Sequence, residues 1–180
     1  MVRLCGAIID AISNQELNAQ ISLVVSDNPK AFALQRAKDH GIATYVTKGT
    51  SLDERDIELA NELERYEIDL IVLAGYLKMI GPRLIDNHTI INTHPSLLPA
   101  YGGKGMYGIN VHTAVIEAKE EYSGVTVHYV NGAYDEGSII AQSKVVLEEG
   151  ETPESLSAKV QTFEKVQLIY VIKELIREQK

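Results

Sequence analysis

The sequence predicts an α/β domain with a mostly parallel sheet flanked by helices and a late antiparallel strand pair. Three observations carry that reading. Aliphatic and β-branched runs alternate with helical periods from residue 21 to residue 94. Those runs lack polar alternation, as strands of a parallel sheet covered on both faces do. After residue 120 two further strand-like segments are joined by Asn131 to Gly137, a linker too short for a crossover helix.

In chain order, Ala7 to Ile12 is helix-like and Ile21 to Val25 is a strand. Asp27-Asn28-Pro29 then offers an N-cap and proline to a helix whose period runs through Phe32, Leu34 and Ala37 to a stop at Gly41. Ile42 to Val46 repeats the strand. Ser51 opens a helix with Leu52, Ile57, Leu59, Ala60 and Leu63 as its apolar positions, and Asp69 to Ala74 forms the next strand. A short helix near Pro82, a strand from Thr89 to His94, a glycine-rich stretch from Tyr101 to Gly108 and a helix from Val111 to Lys119 follow. Strands at Ser123 to Val130 and Ser138 to Val146 make the antiparallel pair. Thr152-Pro153-Glu154 opens a final helix with Leu156, Val160, Phe163, Val166, Leu168, Ile169 and Ile172 as its stripe.

Composition narrows the function classes. At 180 residues, 45% hydrophobic and 23% charged, the chain is expected to form one domain with a full core. Seventeen basic against 25 acidic side chains give a net charge of −8, which disfavours nucleic acid as a partner. No apolar run approaches the roughly 20 residues that span a bilayer. The single cysteine, Cys5, excludes a disulfide framework and fits a reducing compartment, so a cytoplasmic protein without membrane association is expected. His40, His88, His112 and His128 lack metal-ligand spacing and read as surface or packed residues, with no metal expected.

The segment Asn92-Thr93-His94-Pro95-Ser96-Leu97-Leu98-Pro99 is the strongest candidate for chemistry. Residues i and i+2 of a strand share a face, so the Asn92 amide and the His94 imidazole stand side by side at the carboxyl end of a strand, where open α/β sheets bind ligands. An amide donor beside a group that exchanges protons near neutral pH suits acyl transfer. The two prolines stiffen the chain, with Leu98-Pro99 a candidate cis bond. Asp135, in the linker of the antiparallel pair, is placed to face His94 and favour its imidazolium. Turn capping is the commoner fate of Asn and His at a strand end, as an Asx turn is of a loop aspartate, and spacing leaves both readings open.

These residues resemble the folate-dependent glycinamide ribonucleotide formyltransferases. The resemblance runs from Ala7 to the last helix and is most specific at Val72 to Ile80, Ile91 to Pro99, Ser123 to His128 and Val160 to Glu164. It implies a single Rossmann-like formyltransferase domain over residues 1–180, with a nucleotide-binding-like half (1–88) and a catalytic half (89–180). It implies that Asn92 and His94 are catalytic and that Asp135 raises the pKa of the histidine. Arg55, Leu77, Lys78, Met79, Ile80 and Asn92 would hold 10-formyltetrahydrofolate, with Leu73 and Val130 lining its pterin and Glu164 contacting the ribonucleotide. Small-molecule substrates and a monomer or homodimer are expected. Members of the family begin with a strand and a glycine-rich phosphate loop; Met1 to Gly6 stand in that place here, so both are expected to be lacking. The rival readings are a formyltetrahydrofolate hydrolase, another formyltransferase, or a catalytically silent folate-binding remnant. The hydrolases and the tRNA formylases carry extra domains for which 180 residues leave no space.

Overall fold

The computed structural model describes residues 2–178, with Val2 and Arg3 described by backbone alone. The fold is α/β, and the chain divides into two compact units, Val2–Ile90 and Ile91–Lys180.

The first unit opens with α1 (Val2–Ser13), which begins five residues ahead of the helix expected from Ala7. Leu4, Ile9 and Ala11 form its buried face. β1 (Leu23–Ser26) and β2 (Ala43–Val46) pair in parallel, with Leu23 opposite Ala43 and Ser26 opposite Val46. The helix between them, α2 (Phe32–Asp39), is not capped as the sequence suggests. Asn28 instead closes an Asx turn, its Oδ1 accepting from the Lys30 amide at 2.9 Å, and Pro29 sits inside that turn. Leu34 and Ala37 are buried, whereas Phe32 is 72% exposed, because the first helical position lies off the stripe set by the other two. Gly41, with φ of +70°, ends the helix as expected.

α3 (Leu52–Leu63) starts at Ser51 with a complete capping box shared with Glu54. Its buried positions are Asp56, Leu59 and Leu63. Leu52 and Ile57 are exposed, so the stripe is narrower than the sequence suggests and includes a carboxylate. β3 (Ile71–Leu73) is shorter than the expected run, and α4 (Pro82–Ile85) begins at its proline. The residues of β1 and β3 are half-buried throughout, short of the two-sided cover expected of them.

In the second unit β4 (Ile90–His94), β5 (Tyr122–Tyr129) and β6 (Ile139–Val146) are antiparallel neighbours. The antiparallel region thus includes β4 as well as the expected pair. Ile91 lies opposite Tyr129 and His94 opposite Thr126, and the β5–β6 register shifts between Val127 and His128. α5 (Ile109–Glu117) starts two residues earlier than expected. α6 (Pro153–Glu178) buries Leu156, Val160, Glu164, Gln167, Leu168, Val171 and Ile172. Phe163 and Val166, assigned to its stripe from sequence, are exposed, because the buried stripe passes through the polar Glu164 and Gln167. Val115, Val125, Val145, Leu156 and Val160 form a core beneath the sheet. Gly124 is required by contact: a Cβ there would lie 2.3 Å from the Ser143 carbonyl oxygen.

Candidate active site

The chemistry-bearing residues of the second unit converge on the end of β4. Asn92 and His94 share a face, and the antiparallel register sets His128 opposite Asn92. The loop after β5 returns Asp135 to them in a left-handed conformation, φ +57°. Such a conformation is uncommon for a side chain other than glycine, and it concentrates at functional sites.

The Asp135 carboxylate takes partners on both oxygens. Its Oδ2 lies 3.4 Å from His94 Nδ1 and accepts from the Gly103 amide at 2.9 Å; its Oδ1 lies 3.6 Å from His128 Nε2 and 3.5 Å from Asn92 Nδ2. Burial pushes the Asp135 carboxyl up, but hydrogen bonds from His128, His94 and Gly103, together with the charge of His94, outweigh it and hold the group well below the usual carboxylate range.

His94 is 4% exposed and has acceptors at both ring nitrogens, because Nε2 lies 2.7 Å from the Tyr101 carbonyl oxygen while Nδ1 faces Asp135. A doubly protonated ring donates to both partners at once. Tyr101 is itself left-handed at φ +57°, so two of the residues facing His94 hold this conformation.

His128, read from sequence as surface or packed, is packed, and it lies beside the cluster. It is 2% exposed; its Nδ1 lies 2.7 Å from the Tyr129 carbonyl oxygen, and its Nε2 lies 3.2 Å from the Asn92 amide nitrogen and 3.6 Å from Asp135 Oδ1. The signal was alternation: in a strand over Ser123 to Val130, Thr126 and His128 share one face, and Asp135 follows within a short loop. The pairing of β5 with β4, as well as with β6, is what sets His128 beside Asn92.

The turn after β4 is held by Thr126. Its hydroxyl donates to the Ser96 carbonyl at 2.7 Å and accepts from the Leu98 amide at 3.0 Å, and the Leu98-Pro99 bond is cis. His112, on α5, is 2% exposed, and burial followed by the charge of His94 pushes it down to about 4. On the opposite face of β4, Thr93 donates to Glu164 at 3.4 Å. Burial raises the Glu164 carboxyl, against the pull of the Thr93 hydroxyl. Val130, just past the end of β5, is half-buried.

In the first unit, Arg55 donates from Nη1 to the Thr50 carbonyl at 2.9 Å, and its guanidinium acts on the Tyr76 hydroxyl, opposing the burial that pushes that phenol up. Leu73 ends β3 and is half-buried. Leu77 and Lys78 are exposed, Met79 is half-buried and Ile80 is buried, a gradient from solvent to core along one short segment.

Residues 3–172 match the family model described as Formyl transferase. A phosphoribosylglycinamide formyltransferase of Escherichia coli (strain K12) is 35% identical over 88% of this chain and 74% of its own. A chloroplastic protein of the same name from Arabidopsis thaliana is 40% identical over 84% of this chain, which spans about half of that relative's length, 54%. The crystal structure of phosphoribosylglycinamide formyltransferase from Bacillus halodurans superposes with a TM-score of 0.90 at 33% identity, covering 99% of this chain and 92% of that one. The match extends through both units, over the elements that build the cluster around His94 and those that carry Arg55 and Leu77 to Ile80. The chain belongs to the formyl transferase family.

Proposed function

We propose that the chain transfers a formyl group from 10-formyltetrahydrofolate to the amine of glycinamide ribonucleotide, a step of de novo purine synthesis. The observation that carries this reading is the buried cluster in which Asp135 faces His94 while Asn92 presents its amide on the same strand face. The shared name of the relatives in Escherichia coli and Bacillus halodurans supports the choice of substrates.

In the first unit Arg55, Leu73, Leu77, Lys78, Met79 and Ile80 are assigned to formyl-folate; in the second, Asn92 and Val130 are assigned to it and Glu164 to the ribonucleotide. The amine nitrogen attacks the formyl carbon, and the carbonyl electron pair moves onto oxygen. Asn92 and His94 donate hydrogen bonds to that oxyanion, and donors act most strongly where charge develops. The bond from carbon to the folate nitrogen then breaks as a proton passes from the amine to that nitrogen through His94. Asp135 balances the charge on the ring throughout. His94 Nε2 exchanges the Tyr101 carbonyl for substrate, and the glycines at 102, 103 and 105 give the Tyr101 to Gly108 stretch the freedom to yield. The protein works as a cytoplasmic monomer or homodimer on small molecules. Among the described residues no helix is long and apolar enough to cross a membrane.

Incubating the purified chain with both substrates and following formylated ribonucleotide by mass tests the reading. Formate released without the acceptor would mark a hydrolase instead, and folate binding without either product a silent remnant.

A further inference from the structure

We propose that Asp56 is a positioning residue that fastens the segment Leu77 to Ile80 to α3; its role in catalysis rests on the assignment of that segment to formyl-folate. Asp56 lies inside α3 and is 3% exposed, an expensive place for a carboxylate unless its oxygens are satisfied. Its partners are the first amides of α4: Arg83 N donates to Oδ2 at 2.9 Å and Leu84 N approaches Oδ1 at 3.4 Å. The carboxylate therefore caps a helix that belongs to another part of the chain, and what precedes that helix is Leu77 to Gly81.

Gly81 shows how close the contact is. With φ of −88° and ψ of 168° it has a backbone conformation open to any residue, so conformation does not call for glycine there. Space does. A Cβ at position 81 would lie 2.2 Å from Asp56 Cγ and 2.4 Å from its Oδ2. The chain is pressed against the carboxylate at the residue that follows the segment.

The anchor therefore holds the segment at its carboxyl end, through Gly81 and the first amides of α4. Ile80 is 7% exposed beside the Asp56 anchor, while Leu77, at 43%, faces solvent. Such an arrangement fixes the path of a segment whose outer side chains remain available to a ligand. A positioning group of this kind acts on binding of one substrate more than on the chemical step.

The test is steady-state kinetics with 10-formyltetrahydrofolate and glycinamide ribonucleotide, on Asp56→Ala, Asp56→Asn, Gly81→Ala and the double variant Asp56→Ala/Gly81→Ala. Asp56→Ala is expected to raise KM for formyl-folate about tenfold, with kcat within about threefold of the parent and KM for the ribonucleotide unchanged. Asp56→Asn keeps one acceptor oxygen and falls between the two. Gly81→Ala gives the same pattern by pushing the segment off α3, and the double variant is no worse than the worse single one, because both changes break one contact. A folate KM within about twofold of the parent in Asp56→Asn and Gly81→Ala, or effects that multiply in the double variant, would overturn the proposal. Should the parent chain transfer no formyl group, the substrate assignment fails on its own, and hydrogen exchange decides the fastening. Faster exchange over residues 77–84 in Asp56→Asn upholds it, and unchanged exchange refutes it.

Discussion

The two units use their carboxylates differently. In Val2–Ile90, Glu54, Asp56 and Glu58 all accept from backbone amides: Glu54 from Thr50 and Ser51, Asp56 from Arg83 and Leu84, and Glu58 from Lys48 and Gly49. In Ile91–Lys180, Asp135 faces two imidazoles and Glu164 faces a threonine hydroxyl. A carboxylate that holds amides fixes where the chain goes, and its partners cannot change protonation state. A carboxylate that holds imidazoles changes what its partners can do. On the proposed function, the three carboxylates of α3 set loop geometry and Asp135 serves the chemistry, and variants at each should fail in different observables.

The largest effects belong to the second unit. His94→Ala and Asn92→Ala are each expected to lower kcat by roughly a hundredfold or more, about 3 kcal/mol, because the lost donors act on the transition state, and His94→Ala should leave formyl-folate binding nearly intact. Asp135→Asn keeps the shape of the side chain and removes its charge, and is expected to cost about ten- to a hundredfold in kcat. Unchanged turnover in either of the first two variants would break the contrast between the units at its strongest point.

A second effect reads charge through stability. His112 is pushed down to about 4 by burial and by the charge of His94, so the folded state resists a proton that the unfolded chain takes up near pH 6.5. The unfolded state binds more protons in that window. The contribution of His112 is complete above about pH 6.5 and is lost as pH falls toward 4, an amount on the order of 3 kcal/mol. Glu164, raised by burial, has the opposite slope, and its contribution is lost as pH rises through its folded value. Denaturant unfolding of the parent and of His112→Gln between pH 7 and 4 separates the two, since only the parent should carry the histidine's slope. Equal slopes would show that His112 titrates alike in both states.

How far the sequence discloses these features follows from how local each one is. The capping box at Ser51, the proline opening α4, the left-handed stop at Gly41 and the shared face of Asn92 and His94 all depend on a few neighbouring residues, and each is legible. His128 and Asp56 depend on what lies across from them. His128 joins the site because β5 pairs with β4, and Asp56 is buried because the start of α4 folds onto α3, neither of which a period along the chain records. The stripe of α6 misleads for the same reason. Phe163 and Val166 are apolar and look inward in sequence, while Glu164 and Gln167 are inward in fact, with Thr93 and Ser143 as their partners.

Glu58 sharpens the comparison from the other side. It accepts from the Tyr45 hydroxyl at 2.7 Å and from the amides of Lys48 and Gly49 at 3.0 and 2.8 Å, which together fix the turn from β2 into α3. Burial pushes the Glu58 carboxyl up, and these three donors outweigh it and hold the group below its ordinary range. Glu58→Ala is expected to lower stability by about 2 kcal/mol, reduced from the sum of three bonds because the site is open to solvent and its donors recover water. Formyl transfer per folded molecule should stay within about twofold of the parent, since no reacting group depends on this turn. A large loss of kcat in Glu58→Ala would mean that the loop carboxylates of the first unit reach the chemistry after all.

The smallest expected effect is at Ser51, where the capping box can be taken apart one arm at a time. Ser51 Oγ accepts from the Glu54 amide at 3.1 Å, and Glu54 Oε2 accepts in return from the Ser51 amide at 3.1 Å and from the Thr50 amide and hydroxyl, each at 2.8 Å. Those bonds, the Thr50 hydroxyl first, pull the Glu54 carboxyl down to about 2. Ser51→Ala removes one arm and leaves the other, so the loss is expected near 1 kcal/mol, the usual cost of an N-cap serine. Ser51→Asp restores an acceptor and should recover most of it, although its charge meets that of Glu54. A folded carboxyl value below the unfolded one means that the Glu54 arm adds stability above the ordinary glutamate range and loses it as pH falls toward 2. Thermal unfolding of Ser51→Ala at pH 7 and pH 3 reads both arms: the serine deficit is present at both, and the carboxylate's contribution shrinks at the lower pH. If Ser51→Ala also raised KM for formyl-folate, the start of α3 would be setting the position of Arg55, and the division between loop geometry in one unit and chemistry in the other would have to be redrawn at this helix.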